Sequence, residues 1–129
     1  MSEQLFQAAI EAMSKSHSPY SEFPVGAAIL SETGRIHAGC NVENASFPEG
    51  ACAETTAIGH MIVAGDRKIL EIAVVAAKKP LITPCGGCRQ RIAEFGAPET
   101  IVHLCNGNGV VQSIPLAELL PKAFGQEAL

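Results

Sequence analysis

The run Ile69 to Ala77, ILEIAVVAA, constrains the fold more than any other stretch of this chain. It is rich in β-branched and small apolar residues, and the charged clusters Asp66-Arg67-Lys68 and Lys78-Lys79-Pro80 bound it. A strand with one wet face alternates polar and apolar residues, whereas a nearly unbroken apolar run reads as a central strand covered on both faces. Such a strand needs a layer of structure on each side of its sheet.

The flanking patterns supply those layers. Residues 3 to 15 place Leu5, Phe6, Ala9, Ile10 and Met13 at helical spacing, with Glu3, Gln7, Glu11 and Ser14 between them, and Ser16 to Pro19 stops the helix. Val25 to Leu30 and Arg35 to Cys40 flank the turn-rich Ser31-Glu32-Thr33-Gly34, which predicts an antiparallel hairpin. After a loop from Asn41 to Gly50, a second helix is expected over Ala51 to Ala64, with Ile58, Met61 and Ile62 inward and Gly65 as its stop. Gly86 to Phe95 reads as a third helix ended by Gly96, and Ile101 to Leu104 and Val110 to Ile114 as strands. The link Cys105-Asn106-Gly107-Asn108-Gly109 is too short for a parallel crossover, so the last two strands are expected to be antiparallel. Pro115 opens a short helix through Leu120. The expected fold is α/β, a three-layer α-β-α sandwich with a mixed five-stranded sheet, built as a single domain over 1–129.

Composition narrows the function classes. A chain of 129 residues with 47% hydrophobic and 17% charged residues has the material for one real core, which disfavours disorder and coiled coil. A net charge of −4 offers no polycationic footprint, so no nucleic acid polymer is expected as partner. No apolar stretch approaches the roughly 20 residues of a bilayer span, and Met1-Ser2-Glu3-Gln4 lacks a basic leader. A cytoplasmic protein without membrane contact is the expectation. Five cysteines are an odd number for a disulfide framework and point to thiolate chemistry.

Three of those cysteines lie in two compact motifs, Cys52-Ala53-Glu54 and Pro84-Cys85-Gly86-Gly87-Cys88, each at the start of an expected helix. Free backbone amides and the helix dipole favour anions there and are expected to lower the thiol pKa. Three converging thiolates suit tetrahedral zinc with its fourth position left for water, the arrangement of catalytic sites, whereas structural zinc is closed by four ligands. Glu54, two residues after one such ligand, stands within reach of a water on the metal. Cys40 and Cys105, at strand ends, read as small buried apolar thiols. His17, His37, His60 and His103 show no paired metal spacing and read as core or surface histidines.

A Cys-x-Glu followed some thirty residues later by Pro-Cys-x-x-Cys resembles the signature of the zinc-dependent nucleoside deaminases. The chain is similar to their small, homotetrameric cytidine deaminase class, also at Tyr20-Ser21-Glu22-Phe23-Pro24-Val25-Gly26-Ala27-Ala28, at Asn41-Val42-Glu43-Asn44 and at Leu119-Leu120-Pro121-Lys122-Ala123-Phe124. The resemblance implies a cytidine deaminase-like fold and one zinc ion per chain on Cys52, Cys85 and Cys88. It implies hydrolytic deamination of cytidine and 2′-deoxycytidine to the uridine nucleosides with release of ammonia, a reaction of pyrimidine salvage. Glu54 would carry the protons. Asn41 and Glu43 would meet the ribose, the Ala53 amide the base carbonyl, Phe23 the pocket wall, and Phe124 the base, arriving from a neighbouring subunit of a homotetramer.

Two departures stand out. Thr55 occupies the position where many family members carry an arginine that donates to the zinc-bound sulfurs, and Arg89 and Arg91 are the nearest substitutes in sequence. Ser46-Phe47-Pro48-Glu49-Gly50 differs from the family's Ser-Tyr-Gly and leaves fine substrate preference open. Two alternatives remain: a deaminase of another aminopyrimidine nucleoside, such as a blasticidin S-type antibiotic, and a zinc-stabilised binding module without turnover. A substrate panel separates the first, and ammonia release from cytidine the second.

Overall fold

A computed structural model describes residues 1–129. A helix α1 (Ser2–Met13) precedes the hairpin β1 (Gly26–Ser31) and β2 (Ile36–Cys40). Helix α2 (Ala53–Val63), strand β3 (Ile69–Val75) and helix α3 (Gly86–Phe95) follow. Strands β4 (Ile101–Asn106) and β5 (Gly109–Pro115) and a single turn, α4 (Leu116–Leu119), complete the fold. Short 3-10 turns cover Phe47–Glu49 and Gln126–Ala128. No helix is long and apolar enough to cross a membrane.

The sheet order is β2-β1-β3-β4-β5, which puts Ile69–Val75 in the middle as expected. β3 and β4 are parallel, joined by the α3 crossover, and every other pair is antiparallel, including β4 with β5. The central strand is buried on both faces only from Ile72 onward; Leu70 is exposed and Glu71 half-buried. The fully covered strand is instead β1, all six residues of which are buried. β1 lies under both α1 and α2, whereas β3 opens to solvent at Leu70, between the buried Ile69 and the half-buried Glu71.

The sheet separates two cores, which establishes the three layers. On one face Leu5, Phe6 and Ala9 of α1 pack on Ala28, Leu30, Ala73, Val75 and Cys105. On the other, Ala57, Ile58 and Met61 of α2 and Ile92 of α3 pack on Ile29, Ile72, Val74, Val102 and Leu104. Alternate residues of β1 and β3 thus serve opposite layers, the period-2 rule of a pleated strand. Burying a side chain such as Ile72 or Met61 contributes roughly 1.5–3 kcal/mol, and several on each face set the helices against the sheet.

Element ends moved by a residue or two for local reasons. Ala51 and Cys52 are extended, not helical, because Ala51 and Val42 exchange two backbone hydrogen bonds of 2.9 Å. β4 runs on through Cys105 and Asn106, since Asn106 pairs with Gly109 across a tight turn in which its side chain accepts from the Asn108 amide. β5 likewise extends to Pro115, which leaves only Leu116–Leu119 helical.

Candidate active site

The two cysteine motifs meet at the N-termini of α2 and α3. Cys52 and Cys85 are the N-cap residues, both extended at φ −72°, ψ 159° and φ −68°, ψ 168°, and neither side chain caps its own helix. Cys88 follows in the first turn of α3, fully buried. The three sulfurs lie within 4.8 Å of one another. Around a tetrahedral ion with zinc–sulfur bonds of ~2.3 Å, sulfurs stand roughly 3.8 Å apart, so small rotations bring this triad onto one ion. An all-thiolate set of three with no fourth protein ligand suits zinc at an open site. No histidine joins it: His37 pairs with Asp66 at 2.9 Å, and His103 lies between Glu71 and Ser113, 2.7 Å from each.

What brings the helices here is local. Gly39 of β2 underlies the start of α2, where a Cβ would stand 2.3 Å from the Ala57 nitrogen and from Thr56 Oγ1. The bare glycine lets the helix settle on the strand, and Thr56 Oγ1 then donates to the Cys40 carbonyl at 2.7 Å. At α3, Arg89 straddles the entry, its Nε donating to the Pro84 carbonyl and its Nη1 to the Leu119 carbonyl, both at 2.8 Å.

The electrostatics depart from the expectation that both helix starts would acidify their thiols. Cys85 behaves so: the backbone N–H of Cys88, a first-turn donor, pulls its pKa down. Cys52 and Cys88 go up, chiefly by burial, with the Glu54 carboxylate and the neighbouring thiols adding to it. Glu54, on the first turn of α2 and 4% exposed, is also pushed up by burial, against smaller opposing effects of its own amide, the Cys88 thiol and the Arg91 cation. Cys105 is buried on the α1 side, its thiol raised by burial to about 11, while Cys40 is half-buried at the end of β2.

The remaining candidates fall in two further groups. Asn41 and Glu43 both reach the loop between α1 and β1, as two alternate residues of an extended segment should. Asn41 Oδ1 accepts from the Val25 amide at 2.9 Å and from Ser16 Oγ, and its Nδ2 donates to the Phe23 carbonyl at 2.9 Å. The Glu43 carboxylate accepts from the Tyr20 and Ser21 amides and from Ser21 Oγ, and these donors lower its pKa. Phe23 is half-buried beside them. A cleft of about 360 Å³ includes Tyr20, Ser21, Glu43 and Phe47, and the Tyr20 and Phe47 rings lie 5.8 Å apart. Ala53 is fully buried and offers one of the free first-turn amides of α2. Phe124 is 64% exposed, its carbonyl held by Gln90 of α3 at 2.9 Å, beside a separate cleft of about 780 Å³.

Sequence reasoning left two of these features unread. The donors of Tyr20 and Ser21 to Glu43 could have been sought in the quoted Tyr20-Ser21 segment, but Gly39 beneath α2 carries no motif. The choice between Arg89 and Arg91 is decided by geometry: Arg91 Nη1 lies 3.8 Å from Cys88 Sγ.

Comparison with known proteins finds relatives along nearly the whole chain. The family profile described as "Cytidine and deoxycytidylate deaminase zinc-binding region" matches residues 1–104. The chain is 42% identical over 127 residues to a cytidine deaminase of Sporosarcina psychrophila, covering 98% of this chain and 93% of that one. It is 45% identical over 123 residues to a cytidine deaminase of Halalkalibacterium halodurans, covering 95% and 93%. The crystal structure of a cytidine deaminase from Burkholderia pseudomallei superposes with a TM-score of 0.90 at 43% identity, covering 96% of this chain and 99% of that chain.

Proposed function

The chain belongs to the cytidine deaminase family, and from that membership and the geometry of the site we propose that it hydrolyses cytidine and 2′-deoxycytidine to uridine and 2′-deoxyuridine, releasing ammonia in pyrimidine salvage. The observation that carries this reading is a buried carboxyl, Glu54, on the first turn of the helix whose N-cap is one of three converging sulfurs.

Cys52, Cys85 and Cys88 would hold one zinc ion per chain. Zinc bound at an open site supplies Lewis acidity and a nucleophilic water at neutral pH. Glu54 moves the protons: it takes one as the water oxygen adds to ring carbon 4, delivers it to ring nitrogen 3, and helps protonate the departing amine. Water is consumed, ammonia leaves, and Glu54 returns to its starting state.

The remaining residues bind and orient. The Ala53 amide would donate to the base carbonyl, and Phe23, held by Asn41 through its own carbonyl, would wall the pocket. Glu43 would exchange a Ser21 contact for a ribose hydroxyl, with Asn41 beside it. Phe124 would cover the base of a neighbouring subunit in a homotetramer. Its exposure, the exposure of Cys52 and Cys85, and the separation of the two clefts support a site closed by assembly. We place this activity on the whole of 1–129 as one domain, in the cytoplasm.

Ultraviolet assays against cytidine, deoxycytidine, cytosine, cytidine monophosphate and a blasticidin S-type nucleoside test the reading. Turnover of the first two, weak turnover of cytosine and the monophosphate, loss on chelation and return with zinc are expected. No ammonia from cytidine overturns it, and turnover of the antibiotic alone transfers it to the other nucleoside class.

A further inference from the structure

Three thiolates around a divalent ion leave a net negative charge, and the turn that follows Cys52 brings no cation against it, because Thr55 and Thr56 come after Glu54. One cation does approach from the other helix. Arg91 stands three residues after Cys88 on α3, the spacing of side chains on one helical face, and its Nη1 lies 3.8 Å from Cys88 Sγ. Gly87 stands four residues before Arg91 on that same face, and a Cβ there would sit 3.2 Å from Nη1. The guanidinium therefore lies over a position without a side chain, which leaves its path to the sulfur open. Arg89 cannot substitute, since its guanidinium is held by the Pro84 and Leu119 carbonyls.

We infer that Arg91 is a positioning residue of the cysteine centre: its guanidinium donates to Cys88 Sγ and offsets the negative charge that three thiolates leave around a bound zinc ion, with Gly87 making room for it. The inference rests on the reading of Cys52, Cys85 and Cys88 as zinc ligands. A donor at a ligating sulfur draws electron density off the metal–sulfur bond, so the metal keeps more of its Lewis acidity, and a nearby cation favours the charged, metal-bound form.

The test uses the full chain, loaded with zinc or with cobalt(II), and the variants Arg91→Met and Arg91→Lys. Methionine keeps the length and apolar stem but removes both charge and donors. In R91M the sulfur-to-cobalt charge-transfer band is expected to move to longer wavelength. Its zinc affinity, read against a chromophoric chelator at neutral pH, is expected to fall by about 10- to 100-fold. R91K, which keeps the charge, recovers most of that affinity, and kcat for cytidine falls in R91M while KM holds. Gly87→Val keeps the arginine but puts a branched side chain in its path, so it shifts the band in the same direction and carries the test if R91M fails to fold. An unmoved band and unmoved affinity, or a protein that takes up no cobalt, overturn the inference. A shifted band in a protein that does not deaminate cytidine supports the role of Arg91 and overturns the proposed activity instead.

Discussion

Gly39→Ala adds one methyl group at the point where β2 meets α2. Its Cβ would stand 2.3 Å from the Ala57 nitrogen, 2.3 Å from Thr56 Oγ1 and 2.8 Å from the Ala53 carbonyl oxygen. Two of these are helix backbone, which cannot rotate away, and Ala53 and Ala57 are both fully buried. Ordinary contact begins near 3.4 Å, so the first turns of α2 must retreat by roughly 1 Å, an overpacking that costs about 1–3 kcal/mol. Those turns carry Cys52 and Glu54. A misplacement of ~1 Å at a catalytic constellation costs about 100-fold, and that is the expected fall in kcat/KM. Urea unfolding and cytidine turnover measure both effects on one preparation. Gly59→Ala is the internal control, because it lies on the same helix with nothing within 4 Å and is expected to stabilise by up to ~1 kcal/mol. A G39A protein with wild-type urea midpoint and kcat/KM within about two-fold of wild type would refute the steric reasoning.

Three further outcomes are expected. Glu54→Gln is nearly isosteric but cannot shuttle a proton, so it retains zinc by metal analysis and loses at least ~10²–10⁴ in kcat; turnover near wild type would remove Glu54 from its role. Asp66 is buried beneath the hairpin turn, and its pKa is held far below the usual carboxylate value by Ser31 and then Arg35, so its contribution to stability is present above the unfolded carboxylate pKa and is lost as pH falls through the folded one. The urea midpoint of Asp66→Asn therefore lies below wild type at pH 7 and converges on it in strong acid, whereas a constant gap would contradict the assignment. Cys105, with its thiol raised to about 11 by burial, stays unalkylated in the native protein at neutral pH, and mass spectrometry after iodoacetamide treatment checks this.

Much of the architecture is legible wherever a pattern is local. Gly86 to Phe95 reads as a helix to the residue, because Pro84 and Gly96 bracket it. The antiparallel pairing of the last two strands follows from the shortness of their link. Features that depend on how elements approach one another are not legible in this way. The bridge of Ala51 to Val42, which delays the start of α2, needs a partner distant in sequence, and Asn41 anchors Ser16, Phe23 and Val25 from across a loop. At the site, the cysteine spacing points to the triad, but the burial that raises Cys52 and Cys88, while the Cys88 amide lowers Cys85, depends on depth in the fold. The substitution at position 55 signals that charge must be balanced elsewhere, and only the facing of Gly87 and Arg91 on α3 shows from where.

Zinc K-edge X-ray absorption of the protein as purified decides whether Cys52, Cys85 and Cys88 form an open catalytic centre, because an open tri-thiolate centre and a closed structural one differ in their first coordination shell. Three sulfurs at about 2.3 Å and one oxygen or nitrogen scatterer near 2.0 Å are expected, with the light scatterer exchangeable. Four sulfur ligands, or active protein with no bound metal, would contradict it.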